Sequence, residues 1–315
     1  MGRGTSVLDP VDLLVLSQQL TNQRHRASFD RCPAKGMLEY VSDAVANEVD
    51  IFAGKNFTSG ETPCGVISGL SEPQGLAVSH HKLYVANTDF GGGSASVIRF
   101  PRGSIIPDKT YVDTSCGGEY PADVTVATDG TVIATDIVQF NCGGGALSTW
   151  SKSGTFIGNF QTYNGANPYF ITVQENGRVL YDDNSNNINK GSCPLGVCGA
   201  FIATGATFAF PGGLRSASGP KTEDVVLDDQ EAPGGGVLTT YESFPTPVAS
   251  CLLDGTRAVS FDFNHSDRHA FFADAGSVVA TEVKWTDSTN TCTFVASVRM
   301  SSQPIGVAID VPGQN

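Results

Sequence analysis

The chain has 315 residues, of which 40% are hydrophobic and only 16% charged, with 36 Gly; this composition excludes a disordered chain. Its 19 Lys and Arg against 32 Asp and Glu leave a net charge of −13, a field that repels nucleic acid and anionic membrane surfaces and favours cations or cationic partners. No apolar run is long enough to span a bilayer, so a membrane-spanning helix is excluded as well.

Residues 1–36 stand apart from the rest of the chain. Asp9 caps and Pro10 opens a short predicted helix on which Leu13, Leu16 and Leu20 share one side. Acids within the apolar run and the lack of a small-residue cleavage site distinguish it from a secretory leader, and the segment reads as an appendage packed on the main body.

From residue 37 onward one unit recurs: an apolar strand, a short polar turn, a second apolar strand, then an Asn or Asp where that strand runs into a Gly-rich loop. Its fullest form is Glu72-Pro73-Gln74-Gly75-Leu76-Ala77-Val78 followed by Leu83-Tyr84-Val85-Ala86-Asn87. The second strand ends at Asp43, Asn87, Asp136, Asp183, Asp229 and Asp274, at intervals of 44, 49, 47, 46 and 45 residues. That is the period of a four-stranded propeller blade, and it predicts an all-β, six-bladed β-propeller over residues 37–315.

Unit one, with Tyr40-Val41 and Ile51-Phe52, lacks a first strand, and the missing copy is Pro304-Ile305-Gly306-Val307-Ala308-Ile309-Asp310 at the other end of the chain. The two ends are therefore predicted to complete one blade and leave no open edge in the ring. Unit two runs from Gln74 to Asp113, unit three over about 122–163 with a hairpin turn at Asp129-Gly130, and unit four over about 169–210 with its turn at Asn176-Gly177. Unit five places strands at 213–217 and 224–227, and unit six spans 258–300. Insertions are predicted after the second strand at 91–93, 139–145, 185–199 and 230–236, which elaborates one face of the ring, where binding is expected.

Eight Cys, an even number in a Gly-, Asn- and Thr-rich chain, point to disulfides and a secreted or periplasmic setting. A metal cluster is disfavoured because only Cys193 and Cys198 lie close, with no His or second pair beside them. Cys193 with Cys198 closes a small loop, Cys251 and Cys292 fall on corresponding outer strands of units five and six, and Cys116 and Cys142 lie near the elaborated face. Cys32 and Cys64 then tie the appendage to the first blade.

Two roles fit the six strand-end residues. Each short carboxylate or amide can accept backbone N–H groups of a neighbouring turn, a need that every blade shares. Alternatively Asp136, Asp183 and Asp229 converge on a hard cation such as Ca²⁺, aided by the further oxygens of Asp182, Asn184, Asn186, Asn187, Asp228 and Glu231. His265 and His269 flank the turn of unit six, and His80 and His81 form that of unit two; all four read as turn residues of the plainer face.

The Pro-x-Gly-apolar-Ala-Val, Leu-Tyr-Val-Ala-Asn and Val-x-x-Phe pattern of Pro73 to Phe100, echoed at 304–310 and 40–52, resembles the NHL-repeat propellers and the broader gluconolactonase-like (SMP-30 type) six-bladed propellers over about 37–312. The resemblance implies a ring that serves enzymes, ligand sensors and interaction modules alike. Lactonases of that group hold a divalent cation at the channel with Glu, Asn and Asp, the Asn in a Pro-Asn-Gly step. Here those steps read Pro73-Gln74-Gly75 and Pro304-Ile305-Gly306. The expectation is a monomeric binding module for a small molecule, carbohydrate or protein, using Asp43, Asn87, Asp136, Asp183, Asp229 and Asp274. The alternative is a divalent-cation-dependent hydrolase of the lactonase type.

Overall fold

A computed structural model describes residues 32–312 except 34, 55, 91–94, 116–119, 140–143, 175, 184–186, 209, 218–222, 229–235, 254–257, 265–267 and 287–290. The predicted helix at 9–20 falls outside these residues. Six antiparallel sheets of four strands form the ring of a six-bladed β-propeller. Among the described residues the helical content is two 3-10 turns, Tyr163–Gly165 and Pro194–Gly196.

In blade one lie β1 (Leu38–Asp43), β2 (Glu48–Ala53) and β3 (Gly65–Ser68). Blade two is β4 (Pro73–Ser79), β5 (Lys82–Asn87), β6 (Ser96–Pro101) and β7 (Lys109–Tyr111), and blade three is β8 (Pro121–Val126), β9 (Val132–Gln139), β10 (Gly144–Trp150) and β11 (Phe156–Gln161). Blade four is β12 (Ile171–Val173), β13 (Arg178–Asp182), β14 (Asn187–Ser192) and β15 (Ile202–Thr207). Blade five is β16 (Leu214–Ala217), β17 (Glu223–Asp228), β18 (Val237–Tyr241) and β19 (Ala249–Leu252), and blade six is β20 (Ala258–Asn264), β21 (His269–Asp274), β22 (Val279–Thr286) and β23 (Thr291–Arg299). The final strand is β24 (Pro304–Asp310), which returns to blade one as its innermost strand.

That return is the predicted closure. β24 runs antiparallel to β1, with Leu38 opposite Asp310, Tyr40 opposite Ala308 and Val41 opposite Val307, and every residue of both strands is buried. Blade two clasps the joint from outside, because Asp310 lies 2.8 Å from His81 Nδ1 and also meets the Arg102 guanidinium.

The apolar core is divided rather than central. Six clusters form, and each draws its residues from two adjacent blades. Phe52 and Phe57 meet Phe271 and Val298 between blades one and six, Tyr111 meets Trp150 between two and three, and Leu227 meets Phe261 and Trp285 between five and six. Strands buried on both faces explain why their sequences are near-continuous apolar runs rather than alternating ones.

Close approach of the inner strands requires the glycines of the Pro-x-Gly step. A Cβ added at Gly75 would sit 2.0 Å from Asp123 Oδ1 in blade three, and one at Gly306 would sit 2.2 Å from the Gln74 carbonyl oxygen in blade two. Both are backbone-proximal collisions between neighbouring blades.

One predicted feature is corrected. The stretch 185–199, read as an insertion after the second strand of unit four, contains β14, so Cys193–Cys198 closes the loop between the third and fourth strands on the plain face. The strand was hidden by its composition: Asn187-Ile188-Asn189-Lys190-Gly191-Ser192 has one aliphatic residue in six. Bridges Cys32–Cys64, Cys193–Cys198 and Cys251–Cys292 join the pairs expected from position, the last clasping β19 to β23. Cys116 and Cys142 lie outside the described residues.

Deleting residues 302–315 removes β24 and the burial of Ile305, Val307 and Ile309. At about 1.5–3 kcal/mol for each buried aliphatic side chain the loss is comparable to the whole stability of a domain. The truncated chain is expected to lose cooperative thermal unfolding in calorimetry; an unchanged transition would show that β24 does not close the ring.

Candidate functional site

Because each blade's second strand runs toward the elaborated face, the strand-end residues arrive there together, beside the loops that lead into the inner strands. What they do there is largely local. Asp43 accepts backbone N–H groups from Ala46 at 3.0 Å, Ser302 at 2.6 Å and Gln303 at 2.9 Å, and also the Ser302 hydroxyl. Burial alone would raise its pKa, but these hydrogen bonds outweigh it and hold the carboxyl below its usual value.

The pattern repeats around the ring. Asn87 Oδ1 accepts from Ser71 N at 2.7 Å, and Asp136 accepts from Tyr120 N at 2.7 Å and the Ser148 hydroxyl at 2.7 Å. Asp274 accepts from Gly276 N and Ser277 N, both at 3.0 Å. In blade four the equivalent residue is Asp182, which takes Tyr169 N and Phe170 N at 2.8 and 2.6 Å. Asp183, one position on, instead receives Asn187 N at 3.2 Å and the amides of Asn187 and Asn189 at 3.1 and 3.4 Å. Asp229, Asn184, Asn186 and Glu231 lie outside the described residues. Among the described residues, no three His, Cys, Asp or Glu side chains gather as a metal centre would need.

The propeller axis is filled by groups that no local motif announces. Arg215 on β16 points inward, with its guanidinium 3.3 Å from Asp262 of blade six and 3.9 Å from Asp123 of blade three. It also donates to the carbonyls of Leu76 in blade two and Val307 in blade one, each at 3.2 Å. One side chain of blade five thus engages four of the other five blades. Asp123 and Asp262 are each further held by backbone N–H groups, Val124 and Ile171 for the first and Phe263 and Ile309 for the second. Burial pushes Asp123 up to about 6 against the pull of Arg215. Above this layer Tyr169 donates its hydroxyl to Gln74 Oε1 at 2.9 Å, so the residue in the Pro-x-Gly step is already engaged across the axis.

Neither a protein-family model nor a curated protein sequence matches the chain. Solved structures do. A chain of a nidogen/laminin complex superposes with a TM-score of 0.61 at 13% identity, over 87% of this chain and 98% of that one. A putative 6-phosphogluconolactonase from Bacteroides uniformis gives 0.60 at 13% over 88% and 100%, and hydrazine synthase of Kuenenia stuttgartiensis gives 0.55 at 13% over 85% of each chain. The likeness is one of fold. At such identity these proteins share the bladed ring with this chain, and the superposition carries nothing finer.

The elaborated face is acidic. Among the described residues it carries Glu48, Glu72, Asp89, Asp136, Asp183 and Asp274 against Arg299, whereas the plain side is mixed, with Lys82, Arg102, Lys109, Lys152, Arg178 and Lys284 beside Glu61, Asp108, Asp129 and Glu242.

His80, His81 and His269 occupy the plain side as expected, although His269 is more than a turn residue. His80 and His81 form the β4–β5 turn with positive φ, and His265 lies outside the described residues. His269 is buried against Glu282, whose other oxygen accepts Phe57 N at 2.7 Å from blade one. Nearby Glu39 is 1% exposed and, among the described residues, neither carboxyl oxygen has a hydrogen-bond partner. Burial, then the charges of Glu282 and Glu61, push its pKa up to about 9.

These environments set two expected outcomes. Replacing Asp43 by Ala orphans three backbone N–H groups and should cost about 2–3 kcal/mol in chemical denaturation, with faster amide exchange at Ser302 and Gln303; a cost below about 0.5 kcal/mol would remove the capping role. Glu39 binds its proton more tightly folded than unfolded, so its contribution to stability falls as pH rises from about 4.5 to about 9, by at most about 1.4 kcal/mol per pH unit. The melting temperature of Glu39→Gln should therefore gain on wild type steadily between pH 5 and 9, and a constant difference would contradict a neutral buried Glu39.

Proposed function

We propose that the chain is a secreted or periplasmic binding module, monomeric, that recognises its partner through the acidic, loop-rich face. The observation that carries this reading is the prior use of the strand-end acids. Asp43, Asn87, Asp136 and Asp274 spend their oxygens on backbone N–H groups of their own and neighbouring loops, which shapes the face without leaving an open oxygen cage. The described loop segments held in this way present a negatively charged surface suited to recognition, and its field speeds encounter with a cationic partner.

The alternative is a lactonase-type hydrolase with Ca²⁺ polarising a substrate carbonyl. It draws support from the putative 6-phosphogluconolactonase among the fold neighbours. The same ring also appears in the nidogen/laminin complex, a protein assembly, so the fold favours neither. The bonding of Gln74 to Tyr169 weighs against a cation at the step where lactonases place their Asn. Three disulfides, together with the lack of any helix long and apolar enough to cross a membrane among the described residues, support an extracellular or periplasmic site.

Calorimetric titration with Ca²⁺ after removal of bound ions with a chelator, combined with a lactone hydrolysis assay, separates the two readings. The module reading expects no saturable Ca²⁺ binding and no turnover. Stoichiometric binding abolished in Asp183→Ala, accompanied by Ca²⁺-dependent hydrolysis, would overturn it.

A further inference from the structure

On the elaborated face, between blades two and three, two aromatic rings meet at the surface. Phe90, in the loop after β5, stacks on Tyr120, in the loop leading into β8, with centroids 5.1 Å apart and planes 22° from parallel. Phe90 is 51% exposed. A ring left this open contributes little to the core, and an apolar side chain that merely failed to pack would have no reason to be held in place.

It is held on several sides. Glu72 Oε2 accepts Phe90 N at 2.8 Å, and Glu72 N itself donates to Asn47 Oδ1 at 2.7 Å from blade one. Asp89 N donates to Ser71 O at 3.0 Å and Asp89 Oδ1 accepts the Ser71 hydroxyl at 2.7 Å. Ser71 N is in turn fixed by Asn87, and Tyr120 N by Asp136. Two of the strand-end residues are therefore positioning residues for this ring pair, and the platform is organised before any partner arrives.

We infer that the Phe90–Tyr120 pair is an anchor point for an arginine side chain presented by a basic segment of a protein partner, a reading that rests on the binding-module function proposed above. A stacked pair uses one face of each ring internally and leaves the outward face of Phe90 available. An aromatic face attracts a cation, and a planar guanidinium stacks on it while keeping its N–H donors for neighbouring carboxylates. Glu72 and Asp89 lie beside Phe90, and among the described residues the surrounding face carries Glu48, Asp136, Asp183 and Asp274 against Arg299, so a cation is the complementary occupant. A neutral oligosaccharide would also stack on an exposed ring but would draw nothing from that field.

Isothermal titration of the full chain with acetyl-tetraarginine amide at physiological salt tests the assignment. Wild type is expected to bind, Phe90→Tyr to bind within about two-fold of it, and Phe90→Leu, which keeps apolar area but loses the ring, to bind roughly three- to ten-fold more weakly. Because Phe90 is exposed, both variants should melt as wild type does. Equal binding by Phe90→Leu would overturn the anchor while leaving the acidic face as the binding surface. Binding of a neutral tetrasaccharide in place of the peptide, lost in Phe90→Leu, would overturn the cationic occupant. Failure of the module reading itself is reported separately, by Ca²⁺-dependent hydrolysis.

Discussion

Pairing between the first and last strands of the ring is the constraint on which everything else depends. A propeller has no single core to collapse onto; its apolar clusters sit between blades, and a cluster exists only when both of its blades are in place. An open chain of six blades would leave the seam between blades one and six wet. The β24–β1 ladder removes that alternative, at the cost of contacts more than 250 residues apart in sequence, since Tyr40 pairs with Ala308. Such non-local closure makes folding slow and, once complete, cooperative.

Polar groups then fasten the seams that apolar contact brings together. Ser42 Oγ donates to Gln74 O at 2.6 Å, Thr88 Oγ1 to Pro121 O at 2.7 Å and Thr135 Oγ1 to Tyr169 O at 2.8 Å, each joining one blade to the next. Ser216 N to Thr172 Oγ1, Gly213 N to Val259 O and Ile309 N to Asp262 Oδ2 complete the circuit. These bonds matter less for their individual energies than for register: a blade rotated or slipped against its neighbour would orphan buried donors and acceptors. Arg215 applies the same logic at the axis. A buried charge is tolerable there only because carboxylates and carbonyls from surrounding blades all reach it, which makes the guanidinium a check on correct assembly as much as a source of stability.

The blade count, the closure and three disulfide pairs were legible in the sequence because each leaves a regular trace: an acid or amide at a fixed interval, a strand missing at one end and present at the other, cysteines at matching places in neighbouring units. In blade four both Asp182 and Asp183 end the same run, and only hydrogen bonding tells that Asp182 holds the loop leading into the inner strand while Asp183 takes Asn187 N. The axis was illegible. Arg215 sits in Gly-Leu-Arg-Ser-Ala with nothing to mark it, and its carboxylate partners lie 92 and 47 residues away in the chain (215 − 123 and 262 − 215). The available signal was a charge interrupting an inner strand, in Ala122-Asp123-Val124, Leu214-Arg215-Ser216 and Phe261-Asp262-Phe263, three charged residues that meet only when the ring is closed. The ring pair of Phe90 and Tyr120 was hidden likewise, since its members come from two different loops.

Closure also decides how this molecule sits in its surroundings. β1 begins, and β24 ends, on the side of the ring where Asp310 meets His81, opposite the acidic loops. Any sequence appended beyond β24, whether a neighbouring domain, a tether or an affinity tag, therefore departs from beneath the disc. A tether joined there would leave the acidic loop face pointing away from the point of attachment, like a dish on a stalk.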